Sequence, residues 1–429
     1  MSVASDVVSS PTASVTGPKS LITTDNVNIV LQADKGNDAL LKSWSIVDFT
    51  KRGDNLACEV TSVEVKYSKC GQENCDVTYV VKLNPFRNFG DFQEMEPIFF
   101  TKEGKFYEEL VPVLNEALTS AGQEPLRLPK CFLVSLEEGK EQLYFEDLRA
   151  RGFKMFDRKK GMDKYHVALV VSELARLHSA SYLLREKLLE GKPVASKYEF
   201  LSKDFLTFTP NSGELFVSWF QRSIDTGVMM LETIGGYENA IAFLKSMKTE
   251  VSYYLSAGLQ SKKVNNICHG DCWNNNILFR YDEEGHPVEV MLVDLQACRE
   301  ASIGCDLNYF LYTSVTGDVR KPNLDHFMSL YYSAYKRVLE GGNMPMHFTE
   351  EEIAEEFRSK NTFGLLFAVM IIPAILTEPE ETPEFSDTDL ETLMQDFRVL
   401  AMKKLKTNPL CKPRFLAVFD ELMESGLIS

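Results

Sequence analysis

Apolar positions follow two different rhythms along this chain, and the change falls near residue 147. Before it, short runs alternate or are β-branched. Residues 43–49, 58–67 and 77–83 predict strands; in the second, Val60, Val63 and Val65 sit among polar neighbours. The polar turn Lys51-Arg52-Gly53-Asp54-Asn55 joins the first two, and a hairpin at Gly71 joins the second to the third. A helix is predicted from 96 to about 118, with Pro97 suited to its first turn and Pro112 breaking or kinking it. Residues 131–134 and 142–145 add two strands about an acidic turn, and a short amphipathic helix over 25–33 precedes the whole set. Beyond Asp147 the spacing is mostly helical, apart from one hairpin of 276–281 and 288–293. The predicted class is α+β. A disordered tail over 1–20 leads into a five-stranded antiparallel lobe over 21–147, and a larger, mainly helical lobe fills 148–429.

Length supports that division, since 429 residues suffice for two lobes with cores of their own. The net charge of −16, from 46 basic and 62 acidic residues, argues against nucleic acid or an anionic membrane as a nonspecific partner. It leaves room for a local basic pocket that takes nucleotide phosphates. The nine cysteines are scattered without CxxC pairs, which points to reduced thiols in a cytoplasmic protein rather than to zinc. Residues 1–19 have neither a basic start nor an apolar core, so they do not read as a secretory signal. The longest apolar run, 363–376, is short for a membrane span and contains Pro373; a buried helix is expected there.

The chemistry concentrates in His269-Gly270-Asp271-Cys272-Trp273-Asn274-Asn275-Asn276, where an aspartate precedes an asparagine by five positions between apolar flanks. A further aspartate, Asp294, ends the apolar strand Met291-Leu292-Val293. The spacing is that of a kinase catalytic loop. Asp271 would then orient an acceptor hydroxyl and take its proton. Asn276 and Asp294 would supply the hard oxygen ligands that Mg²⁺ prefers. Gly270, where protein kinases carry Arg, and Trp273 point to small-molecule phosphotransferases.

Upstream, Glu103 shares a helix face with Phe99, Phe106, Tyr107 and Leu110, and Lys82 stands among the apolar residues of the third strand. Each charge calls for a partner in such a setting. The two together read as the pair that holds a nucleotide's phosphates. Gly53, Ala57 and Cys58 occupy the place of a phosphate-covering loop, by position more than by pattern. Glu146, Asp147 and Leu148 form the connector whose backbone would meet adenine. His178 is expected as a hydrogen-bonded core histidine and His269 as a brace of its loop. Trp219 and Trp273 fit either a substrate pocket or core, and the acidic run 350–356 reads as a solvated helix face.

The pattern His-Gly-Asp-x-Trp-x-x-Asn at 269–276, with Asp294-Leu295-Gln296, resembles the ecdysteroid kinase-like family, relatives of choline and aminoglycoside kinases within the protein-kinase-like fold. Phe100-Thr101-Lys102-Glu103, Phe145-Glu146-Asp147-Leu148, Leu174-Ala175-Arg176-Leu177-His178 and Asp306-Leu307 carry the likeness along most of the chain. The resemblance implies transfer of phosphate from ATP, with Mg²⁺, to a hydroxyl of a small hydrophobic molecule, an ecdysteroid being the best-known substrate. Choline-like or aminoglycoside-like acceptors, or a catalytically silent binding module, are the alternatives. Leu56, Ala57 and Cys58 depart from the family's usual loop, and Leu295 replaces its usual Phe.

Overall fold

The computed structural model describes residues 16–49, 58–86, 95–202, 204, 206, 210–383 and 389–429. In it the alternating segments become β1 (Leu40–Asp48), β2 (Glu59–Lys69), β3 (Gln72–Leu83), β4 (Cys131–Ser135) and β5 (Gln142–Glu146). They pair antiparallel in the order β1-β2-β3-β5-β4. Period-two alternation gives this sheet two different faces. Val63, Val65, Tyr79, Val81 and Leu83 turn toward helix α1 (Thr24–Lys35), which returns Val27, Val30 and Leu31. Val80, Leu143 and Phe145 fall on the opposite face, in the core shared with the larger lobe. Because Val81 and Leu83 are committed to the α1 side, Lys82 between them must point into the interlobe cleft. Of the first twenty residues, those from Thr16 onward are described, and Gly17–Leu21 makes one 3-10 turn that Lys19 ties to Asp48 at 2.5 Å.

The helix expected over 96–118 is α2 (Glu96–Lys105), a five-residue π-helical turn (Phe106–Leu110) and α3 (Val111–Ser120). Pro112 lies in the first turn of α3, where its missing N–H costs nothing, and the π turn just before it absorbs the break. Phe99, Glu103, Phe106, Tyr107 and Leu110 are all buried, as their common face requires.

The larger lobe holds α4 (Lys164–Leu188), α5 (Pro210–Ile234), α6 (Glu238–Thr249), α7 (Val251–Leu259), α8 (Ile303–Ser314), α9 (Gly317–Gly341), α10 (Glu350–Ser359), α11 (Asn361–Ile375), α12 (Leu390–Thr407) and α13 (Cys411–Glu424). The predicted hairpin is present, and β6 (Lys154–Met155) adds a third strand to it beside β8 (Ile277–Tyr281) and β9 (Pro287–Leu292). A second small ladder pairs β7 (Asn266–Cys268) with β10 (Arg299–Ala301). α8 is buried along its whole length. α4 is long and apolar enough to cross a membrane by length and composition, but 78% of its apolar window is inside the fold. The run 363–376 is the buried helix α11. The acidic run opens α10 behind a Thr349–Glu352 capping box, and its Glu356 turns inward to accept from Ser302 Oγ at 2.5 Å. All nine cysteines are thiols.

Candidate active site

The loop after β7 is held from below by a single carboxylate. Asp306, in the first turn of α8, accepts the His269 N–H at 2.7 Å and the Gly270 N–H at 2.9 Å. His178 Nε2 lies 3.1 Å from the same carboxylate, and its Nδ1 meets Tyr331 OH at 2.7 Å. Burial works to raise the Asp306 pKa, but the His178 hydrogen bond and charge, with the Gly270 amide, outweigh it and hold the group below its usual value. Gly270 has φ +83°, and a Cβ there would lie 2.0 Å from the Ala297 carbonyl oxygen, so only glycine lets the loop pass. His269 accepts the Asp271 N–H on Nδ1 at 3.3 Å. Its Nε2 therefore carries the proton and donates to the Val293 carbonyl at 3.0 Å, which ties the loop to the end of β9. Burial lowers its pKa and keeps the ring neutral, in keeping with the bracing role expected for it.

Asp271 is gripped at both carboxylate oxygens. Tyr309 OH, from α8, donates to Oδ1 at 2.6 Å, and Asn276 Nδ2 donates to Oδ2 at 2.8 Å and to the Asp271 carbonyl at 2.9 Å. Burial, then the nearby Asp294 charge, pushes the Asp271 pKa up to about 7, against the pull of these two donors. A divalent cation beside it would draw the value back down.

Across the cleft, Lys82 Nζ donates to Glu103 Oε1 and Oε2 at 2.9 and 2.7 Å and to Asp294 Oδ1 at 2.8 Å. Burial opposes its charge, but the Asp294 and Glu103 carboxylates more than compensate, so its pKa is raised. Burial pushes Glu103 up, against Lys82. Glu103 Oε1 also accepts the Leu295 N–H at 3.3 Å, and the adjacent Lys102 donates to the Cys298 carbonyl at 2.8 Å. α2 is thus fastened at two successive residues to the turn that follows Asp294. Asp294 itself has φ +67°, a left-handed conformation that aspartate tolerates better than most side chains. Its Oδ2 accepts from Gln296 Nε2 at 3.3 Å.

Asp271, Asn276, Asp294 and Tyr309 border one cavity of about 240 Å³, whose lining does not include Lys82 or Glu103. Asp271, Asn276 and Asp294 line one side. The other is an apolar wall of Phe216 and Trp219 from α5, Phe367 and Met370 from α11, and Met394 and Phe397 from α12. Trp273, on the loop after β7, and Cys58, just ahead of β2, also face it; Gly53 and Ala57 lie outside the described residues. The connector stands apart. Glu146 accepts from the Lys130 N–H at 2.9 Å, Asp147 holds the Arg149 guanidinium, with Arg149 Nη2 at 2.7 Å, and Leu148 packs on Phe153 and Met291. The Glu146 N–H is also engaged, by the Lys130 carbonyl at 2.9 Å. Tyr309, Lys102 and the apolar wall apart from Trp219 escaped the sequence reading; Trp219 and Trp273, which fitted either a pocket or core, both line the cavity. Nothing in the spacing of Tyr309 tells it from the other buried aromatics of an apolar helix.

For Mg²⁺, the donor set has the right character: the carboxylate of Asp294 and the amide oxygen of Asn276, both hard and both on the cavity. With its Nδ2 committed to Asp271, Asn276 keeps Oδ1 for a cation.

The sequence model of the ecdysteroid kinase-like family matches residues 52–343. No curated protein matches the chain. Among solved structures, a Plasmodium vivax ethanolamine kinase is similar with TM-score 0.41 and 9% identity, over 90% of this chain and 88% of that one. The GDP complex of an aminoglycoside 2'-phosphotransferase is similar with TM-score 0.43 and 10% identity, over 95% of this chain and 100% of the other.

Proposed function

The chain belongs to the ecdysteroid kinase-like family, and from that premise we propose that it transfers the γ-phosphate of ATP to a hydroxyl of a hydrophobic small molecule, an ecdysteroid being the leading candidate. One observation carries the reading: a single cavity joins Asp271, Asn276 and Asp294 to an apolar chamber. Polar catalytic groups at the edge of a carbon-lined space suit an acceptor that is mostly apolar and offers one reactive oxygen.

In this reading Lys82 positions the nucleotide's phosphates and is itself aimed by Glu103. Asn276 and Asp294 hold Mg²⁺, which when bound neutralises charge on the transferring phosphoryl group. Asp271, fixed by Tyr309 and Asn276, accepts the hydrogen bond of the acceptor hydroxyl and takes its proton as the oxygen attacks. The apolar wall excludes water that would otherwise compete for the phosphoryl group. Gly53, Ala57 and Cys58 are proposed to cover the phosphates, and the backbone of Glu146, Asp147 and Leu148 to meet adenine. A lobe boundary at 147/148 and a reducing, cytoplasmic setting belong to the same proposal.

The test is phosphate transfer from labelled ATP to a panel of hydroxylated metabolites, ecdysteroids included, by the wild type and Asp271→Asn. We expect at least ~100-fold loss of turnover in the variant, with Mg²⁺–ATP affinity retained. Undiminished transfer would sink the assignment.

A further inference from the structure

Helix α5 changes character along the wall it gives to the cavity. It presents Phe216, Trp219, Ser223 and Thr226, spacings of three and four that make one stripe roughly 15 Å long. The first half is aromatic, with the Phe216 and Trp219 rings stacked 6.0 Å apart and 3° from parallel. The second half carries two hydroxyls. Ser223 is 4% exposed and Thr226 7%.

Helical Ser and Thr in apolar surroundings commonly satisfy the hydroxyl by donating to the carbonyl four residues back. Thr226 does so, to Arg222 at 3.1 Å, as do Ser172, Ser179 and Thr233 in this molecule. Ser223 makes no such bond with any described residue, and its side chain faces the cavity. The Ser223 hydroxyl opens onto the cavity with its donor uncommitted, so it can serve a polar group that enters there. The two hydroxyls differ in what they offer. Ser223 has a proton and lone pairs to give, whereas Thr226, its proton spent on Arg222, can only accept. A hydroxyl matches both, and a carbonyl oxygen matches Ser223 alone.

Packed rings connect the pair to the Asp271 end of the cavity. Tyr309, bonded to Asp271, lies 4.4 Å from the Phe367 ring, and Phe367 lies 5.1 Å from Phe220, one turn ahead of Ser223 on α5. We propose that Ser223 and Thr226 bind a second hydroxyl of the acceptor, remote from the one that is phosphorylated, so that the preferred substrate is an apolar diol. This rests on the reading that Asp271 orients the reacting hydroxyl of the same molecule.

Calorimetric binding of rigid androstane and decalin diols, each against its mono-alcohol, tests this with and without Mg²⁺ and a nonhydrolysable ATP analogue; transfer from ATP is measured alongside. The wild type should bind at least one diol about tenfold more tightly than its mono-alcohol. Ser223→Ala and Thr226→Val should bring that ratio to near one. The mono-alcohol in the same variant is the internal reference that separates a lost contact from a damaged fold. Equal binding of diol and mono-alcohol by the wild type, or a preference that survives both substitutions, overturns the inference and leaves phosphoryl transfer standing. Diol preference without transfer to any alcohol overturns the transfer reading instead, and binding of none of the alcohols overturns both.

Discussion

Lys82 meets three carboxylate oxygens within 2.9 Å while nearly enclosed by protein. At this scale its removal has two separable effects. Lys82→Met takes away the proposed phosphate anchor, and it also leaves Glu103 and Asp294 facing each other without a cation. Removing one partner of a buried ion pair commonly costs about 3 kcal/mol. Both a lower urea midpoint and loss of measurable ATP binding by calorimetry are expected. A variant that binds ATP as the wild type does would contradict the assignment of Lys82. Glu103 should tolerate Asp less well than its chemistry suggests, because its length fixes the reach to both Lys82 and the Leu295 amide.

At the scale of elements, the loop that carries Asp271 is held by α8 more than by its own residues. Asp306 holds the His269 and Gly270 amides, and its pKa is depressed in the fold. A carboxyl whose pKa is lower folded than unfolded adds stability that is present above the unfolded value and lost as pH falls through the folded one. Asp306→Asn should therefore be less stable than the wild type by a constant margin near pH 7. The margin should shrink on acidification below about pH 4, near the ordinary aspartate value. Urea midpoints at pH 7, 4 and 3 measure it, and a margin that grows toward acid would refute the argument.

Elements also show what could be read in advance. The five strands and the β8–β9 hairpin were legible because short alternating or β-branched runs leave a clear trace, and α1 because it reads as amphipathic. β6, β7 and β10 were not, since two or three residues carry no rhythm. The Lys82–Glu103 pair was legible because a charge inside an apolar pattern demands an explanation. Tyr309, a polar tip on an aromatic ring in a helix buried all round, raises no such demand. The apolar wall needs three helices from distant parts of the chain to converge, and one sequence does not state which faces meet.

For the whole molecule, the lobes are joined at the cleft through Lys82–Asp294, Glu103–Leu295 and Lys102–Cys298. A ligand that binds across these contacts stabilises the fold by mass action. At one hundred times its dissociation constant, Mg²⁺–ATP should add about 2.7 kcal/mol, visible as a rise in melting temperature. The same ATP with excess chelator should give little of that rise. Equal shifts with and without Mg²⁺ would argue against Asn276 and Asp294 as metal ligands.

The position of Lys82 between two acids has one more effect. The Lys82 ammonium already meets two carboxylates, Glu103 and Asp294, so little of its charge is left to draw a bare phosphate or sulfate. An anion that brings its own countercharge is the better match, and under the proposed function the same balance would keep free oxyanions from the place assigned to the nucleotide.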